Sequence, residues 1–341
     1  MVGWLIIFSG ILGGATVALG FAGYFQALVG GPLLLSAISL IAILSIILFI
    51  GIKQSAIIAV IFTFIEVSGL IIIISLGIRH LGSVDYLEMP LGSSGLFQAA
   101  ALIFFSYLGF EEIVKLSEET QNPERNIPFG LVLAVSTSIV LYVLVAFSAV
   151  SILGWEKLSQ SSAPFADLAS ASLGANAYVV LSAIALFATA NTVLLMLLAA
   201  SRITYGMANS SSIPEVLGKV HSKTRTPWVA ILFIAILSTC FILLANIGYL
   251  AGVTNFTVFF TFIVINAAVI MLRFKKTDLQ RPFRVPIAIG RFPALPTLGI
   301  ILNIFMLTQL SFQVLTAGLL LIISGILAFF LSKKVMIQRV G

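Results

Sequence analysis

Few side chains in this sequence could do chemistry, and the sharpest is Glu66. It is the only ionisable residue between positions 55 and 78 and sits at the centre of an otherwise apolar stretch. A carboxylate at the middle of a bilayer costs a few kcal/mol on insertion scales, so it must be protonated, paired or turned toward a cavity. Such a group is suited to taking up and releasing a proton. A second candidate is the stretch Ser106-Tyr107-Leu108-Gly109-Phe110-Glu111-Glu112, which interrupts the apolar run that begins at Leu96. Glycine and paired carboxylates are costly in a lipid-facing helix and cheaper where a broken helix lines a cavity. Composition leaves two readings open: a broken helix at depth, or a span that ends early with Glu111 onward in water. Tyr24, Gln26, Asn191, Thr192, Asn255 and Asn266 could line a cavity or bond helix to helix, and interhelical bonding is the commoner use.

Other chemistries find no support. Cys240 is the single cysteine, so neither a disulfide framework nor a cysteine metal site can be built. His80 and His221 fall in loops on opposite faces of the membrane and cannot share a metal. No nucleophile triad, phosphate-cradling glycine loop or dinucleotide fingerprint occurs. The sequence therefore points away from an enzyme and implies no cofactor and no metal.

The elements that must position these residues are membrane spans. Hydrophobic residues make up 60% of the chain, charged residues 9%, and the mean hydropathy is +1.18, whereas soluble domains carry roughly 25% charged residues. The net charge of +6 would suggest nucleic acid in a soluble protein, but here the basic residues lie between long apolar runs. Hydrocarbon cannot satisfy open backbone groups, so each run of roughly 20 apolar residues reads as a helix. Ten stretches qualify: 4–29, 32–50, 55–78, 96–119, 127–153, 177–208, 228–247, 252–272, 294–310 and 312–331, the ninth being the shortest. All of the 18 Lys and Arg residues except Arg79 and Lys157 fall in alternate loops or at the ends, which makes that side cytoplasmic and puts both termini there. Small residues recur along the first span (Gly10, Gly13, Gly14, Ala18, Gly20, Gly23), as expected of a scaffold helix packed closely in lipid. Residues 164–173 (PFADLASASL) predict a short amphipathic helix outside the membrane, and 210–227 a short helix followed by an extended arm.

Residues 104–119 (FFSYLGFEEIVKLSEE) and 120–130 (TQNPERNIPFG) resemble the sixth-helix signature of the amino acid/polyamine/organocation superfamily. Residues 199–208 (AASRITYGMA), 212–215 (SIPE) and 281–286 (RPFRVP) resemble two further stretches of its amino-acid permeases, so the likeness covers nearly the whole chain. That resemblance implies an all-α integral membrane protein of two inverted five-helix repeats plus two peripheral helices. Residues 1–78 correspond to the last three helices of the first repeat, 96–273 to the complete second repeat, and 292–333 to the peripheral pair. The family's first two helices are then expected upstream of Met1, so the first repeat reads as truncated.

By the same resemblance, Phe104, Phe105 and Leu108 fall where the second broken helix offers carbonyls to a substrate ammonium and an aromatic wall to its side chain. Gly109 would permit the unwinding, and Glu111 would act as a cytoplasmic gate. In several proton-coupled relatives the region of Glu66 carries a lysine in place of a sodium ion, and a glutamate departs from that pattern. The expected function is a secondary permease of amino acids or related amines in the cell membrane, working by alternating access. The coupling ion is H⁺, with Na⁺ the second choice, and Glu66 is its carrier. The competing expectation is a short form that does not transport and acts as a membrane partner, sensor or gene fragment.

Overall fold

The computed structural model describes residues 1–110, 114, 120–244, 246–276, 283–290 and 292–340, with the side chains of 52–59, 289 and 331–340 left aside. Twelve α-helices run through the described residues. They are α1 Val2–Val29, α2 Leu33–Ile50, α3 Ile52–Gly77, α4 Gly92–Ile103, α5 Pro123–Leu153, α6 Trp155–Gln160, α7 Pro164–Leu173, α8 Ala175–Asn209, α9 Trp228–Leu244, α10 Ile247–Lys275, α11 Ala294–Thr308 and α12 Phe312–Val340. The only strands among the described residues, β1 Ala288–Ile289 and β2 Phe292–Pro293, form a small antiparallel hairpin.

Seven helices, α1, α2, α3, α5, α8, α10 and α12, are long and apolar enough to cross a membrane. Two more apolar helices, α9 and α11, are shorter. These nine fall in nine of the ten expected stretches, α4 opens the remaining one, and the protein is an all-α membrane protein. The side-chain pattern is that of a bundle in lipid. On α2, Ala37, Leu40, Ile41, Leu44 and Leu48 are buried, at spacings that fall on one helical face. The equally apolar Ile43, Ile46 and Ile50 are more than half exposed. Burial there follows packing and not polarity, because the solvent on the outer face is itself hydrocarbon.

By internal packing the chain divides into two compact units, neither of which follows sequence order. One comprises Met1–Ser9, Met89–Thr137 and Ala251–Leu331. Within it Trp4 Nε1 donates to Ser324 Oγ at 3.1 Å, and Gly318 leaves room for the Phe256 ring. The other comprises Gly10–Glu88, Ser138–Leu250 and Ser332–Gly341. Here the small residues of α1 serve the close approach expected of them: a methyl group on Gly10 would lie 2.8 Å from the Ala200 Cβ of α8. Ser238 Oγ of α9 donates to the Ile11 carbonyl of α1 at 3.2 Å. On α3, Gly77 is pressed against Ser148 of α5.

The extramembrane elements follow local chemistry. The amphipathic helix expected over 164–173 is α7, with Pro at its start and Ala166, Leu168 and Ala169 buried. It turns into α8 through Gly174, whose φ of +86° only glycine adopts without strain. Between α8 and α9 the expected short helix is only a 3₁₀ turn, Glu215–Gly218, because Pro214 precedes it and too few residues remain to propagate a helix. In place of an extended arm, the chain then folds into a turn in which the His221 N–H donates to the Thr226 carbonyl at 2.9 Å.

Candidate functional site

The first candidate site lies where α4 stops. Residues Gly92–Ile103 are α-helical, Phe104–Tyr107 tighten into a 3₁₀ turn, and Leu108 is extended at φ −66° and ψ 140°. Gly109 then takes φ +113°, a conformation L side chains rarely adopt, so the residue type suits the turn of the chain there. The α-helix itself ends at Ile103, and residues 111–113 and 115–119, on which the choice between a broken helix at depth and a span that ends early depends, lie outside the described residues. Glu111, the expected gate, lies outside the described residues.

Stopping a helix leaves carbonyls of its last turn without their usual donors. Here two of them are served from α10. Asn255, fully buried, donates through Nδ2 to the carbonyls of Ala101 at 2.8 Å and Leu102 at 3.0 Å. Those are the carbonyls that N–H groups of Phe105 and Ser106 would take if the α-helix continued. Asn255 Oδ1 is buried without a hydrogen-bond partner among the described residues. Aromatic rings support the turn: Phe104 lies 4.8 Å from Phe259 and 6.3 Å from Phe262, and Phe110 lies 6.1 Å from Phe262. Phe104, Phe105 and Leu108 are half-buried, while Gly109 is exposed.

The second candidate site is a cavity of about 230 Å³ in the other unit, and it gathers three residues singled out in the sequence: Tyr24 of α1, Glu66 of α3 and Thr192 of α8. Two helical faces build it. Glu66, Gly69, Leu70 and Ile73 follow one another on α3, and Leu181, Ile184, Ala185, Ala188, Thr189 and Thr192 on α8. Both sets advance by three or four residues, which is one face of a helix. Phe165 of α7 closes the wall, and its backbone N–H donates to the Tyr24 hydroxyl at 3.3 Å. The side of the cavity at Gly69 is tight, since a methyl group there would meet the Ile184 Cγ2 at 2.5 Å.

Glu66 faces this space with no hydrogen-bonding or charged partner among the described residues. Asn191 does not join it. One residue from Thr192 means about 100° around the helix, so Asn191 turns instead to α3, where its Nδ2 donates to Thr63 Oγ1 at 3.3 Å. Gly69, Phe165 and Thr189 join Glu66 here without having been expected from the sequence. For Gly69 and Thr189 the signal was present, each lying one helical turn from Glu66 or Thr192, whereas Phe165 reaches the cavity only through tertiary packing. Among the described residues no cluster of three or more His, Cys, Asp or Glu exists to hold a metal.

Comparison with known proteins agrees with this architecture. The branched-chain amino acid permease BcaP of Bacillus subtilis (strain 168) is 27% identical over 98% of this chain and 76% of its own length. The methylthioribose transporter of the same organism is 26% identical, again over 98% of this chain and 76% of its own. The vacuolar cationic amino acid transporter 4 of Arabidopsis thaliana is 26% identical over 82% of this chain and 50% of its own. A family model described as amino acid permease matches residues 1–331. A bundle of apolar helices matched over almost its whole length by that model is a multi-pass membrane transporter and not an enzyme, and the chain belongs to the amino acid permease family.

Proposed function

We propose that this protein moves amino acids or related amines across the cell membrane by alternating access, in symport with protons. The observation that carries the reading is the break after Ile103. A helix that unwinds inside a membrane exposes backbone carbonyls to a ligand, which is how secondary transporters hold charged groups. Phe104, Phe105 and Leu108 supply the substrate's wall and Gly109 the freedom to unwind. The substrate ammonium takes the freed carbonyls.

Glu66 is the coupling residue in this proposal. A carboxylate facing a cavity without a partner is neutral when protonated and charged when not, so its state can be read by the surrounding helices at each half-cycle. The distribution of Lys and Arg supports cytoplasmic placement of both termini. Residues 1–78 and 96–273 are assigned to two repeats of opposite sense, with 292–333 peripheral.

Among substrates, neutral amino acids are favoured over cationic ones, because Glu66 is the one acid away from the Glu111 and Glu112 pair at membrane depth. The test is uptake by the purified chain in liposomes with an inward proton gradient, offering labelled leucine, valine, lysine and methylthioribose in turn. The proposal expects leucine or valine to accumulate above protein-free vesicles and the gradient to drive it. Absence of any gradient-driven accumulation would remove it in favour of a non-transporting membrane partner.

A further inference from the structure

The cavity between α1, α3, α7 and α8 has a chemistry of its own. Its polar residues offer mostly acceptors; the one hydroxyl proton with no acceptor among the described residues is that of Tyr24, whose oxygen takes the Phe165 N–H. Thr189 Oγ1 donates to the Ala185 carbonyl at 2.7 Å, and Thr192 Oγ1 to the Ala188 carbonyl at 3.1 Å. Both hydroxyl protons are thus engaged by the helix's own backbone, and only oxygen lone pairs remain. Glu66 brings a carboxyl group with no partner among the described residues. The remaining wall is hydrocarbon: Leu70, Ile73, Leu181, Ile184, Ala185 and Ala188, with the Phe165 ring.

A cluster of acceptors around one carboxylate calls for a cation rich in donors. A bare metal ion fits poorly, because it needs a shell of oxygens and most of this wall has none to give. A primary ammonium carries three N–H donors on a compact charge and can bring a hydrocarbon tail to cover the rest. At roughly 30 Å³ for each water-sized group, the volume holds about seven non-hydrogen atoms. That is the size of a six-carbon primary amine.

We infer that this cavity is a binding site for a small organic monocation, its ammonium on the Glu66 carboxylate and its apolar tail between α3 and α8. The site shares no residue with the unwound stretch at Phe104 to Gly109, and the inference does not depend on the chain being a permease. An occupant holds Glu66 in its charged form and takes the place of the proton, so it acts on a coupled transporter as an inhibitor.

The test uses the full chain purified in detergent. Dicyclohexylcarbodiimide labels protonated carboxyl groups in apolar surroundings, and the labelled peptide reports Glu66 by mass spectrometry. Hexylammonium chloride at about ten times its Kd is expected to slow labelling about tenfold, while 1-hexanol and sodium chloride leave it unchanged. Equal protection by 1-hexanol would mean partition into apolar space, equal protection by sodium an inorganic ion site, and no protection an empty cavity; each overturns the inference. As an independent reading, hexylammonium raises the melting temperature of the wild type and does so in neither Glu66→Gln nor Ala188→Phe, the first removing the charge and the second filling the space. A rise preserved in Ala188→Phe would place the amine elsewhere. Neither measurement involves uptake, so failed transport and failed binding remain separate results.

Discussion

Asn255→Leu removes the only side-chain donors among the described residues on the carbonyls of Ala101 and Leu102 while keeping the number and branching of side-chain heavy atoms. The bonds lost measure 2.8 and 3.0 Å and come from a fully buried amide, so water does not replace them readily. Interhelical hydrogen bonds in membrane bundles contribute about 0.6 kcal/mol on average and about 1.7 at most, so two amount to about 1–3 kcal/mol. Extending α4 through Phe105 and Ser106 as an ordinary helix gives both carbonyls donors again, although the Leu102 carbonyl also accepts the Phe104 N–H in the broken form. The variant therefore shifts the balance from the broken toward the continuous form by roughly 5- to 150-fold. A substrate that needs the broken form loses apparent affinity in proportion to the fall in that form's population, by up to the same factor.

The assay is initial-rate uptake in proteoliposomes of whichever amino acid the wild type accumulates, with KM and maximal rate resolved. The expected result is a raised KM with a smaller change in maximal rate. Asn266→Leu provides the contrast on the same helix, because among the described residues its amide donates only to the Phe262 carbonyl within α10, at 2.9 Å. If Asn255→Leu lies within twofold of wild type, or matches Asn266→Leu in both KM and melting temperature, the clamp has no bearing on the break and the reasoning fails.

Gly109→Ala forces a side chain into φ +113°, at about 1–3 kcal/mol, and is expected to reduce uptake severalfold with the protein still folded by gel filtration; wild-type uptake would remove the glycine's role in the unwinding. Wild-type uptake rises as external pH falls, since protonation of the coupling carboxyl is the driving event, and Glu66→Gln is expected to flatten that profile; a variant that keeps the full response to the gradient ends the coupling proposal. Gly77→Ala places a methyl group 2.1 Å from the Ser148 Cβ and is expected to destabilise the bundle by about 1–3 kcal/mol, seen as a lower melting temperature in detergent, whereas Gly206→Ala, with open space around it, is not.

Much of the fold was legible because lipid leaves the backbone a single choice. Each long apolar run became a helix, and the amphipathic pattern at 164–173 became α7 at the same boundaries. A disturbance of the helix near Gly109 was legible too, since the glycine sits in a serine- and tyrosine-bearing stretch where a plain span would carry aliphatic residues, whereas the sequence left open whether the span breaks or ends early. Its location was not: the helix gives way at Phe104, five residues before the glycine, because α10 offers Asn255 to the carbonyls of Ala101 and Leu102. Asn255 was visible as a polar residue at depth, but its partners depend on how two distant segments pack. The cavity was legible in part, through the helical spacing of Glu66 with Gly69 and of Thr189 with Thr192. That α3, α8, α1 and α7 turn those faces toward one space is a tertiary fact that no local period encodes.

The two faces of α2 differ in what they demand of their residues. On the outer one, Ile43, Ile46 and Ile50 meet acyl chains that adapt to any aliphatic shape, so isoleucine, leucine and valine can be shuffled there at almost no cost in stability. On the inner one, Leu40, Ile41 and Leu44 are set among fixed neighbours, and the same shuffling disturbs a jigsaw. Hydropathy cannot tell these positions apart, yet mutational tolerance will: a deep scan of α2 is expected to return a stripe of intolerant positions every three to four residues, written on a helix that looks uniformly greasy.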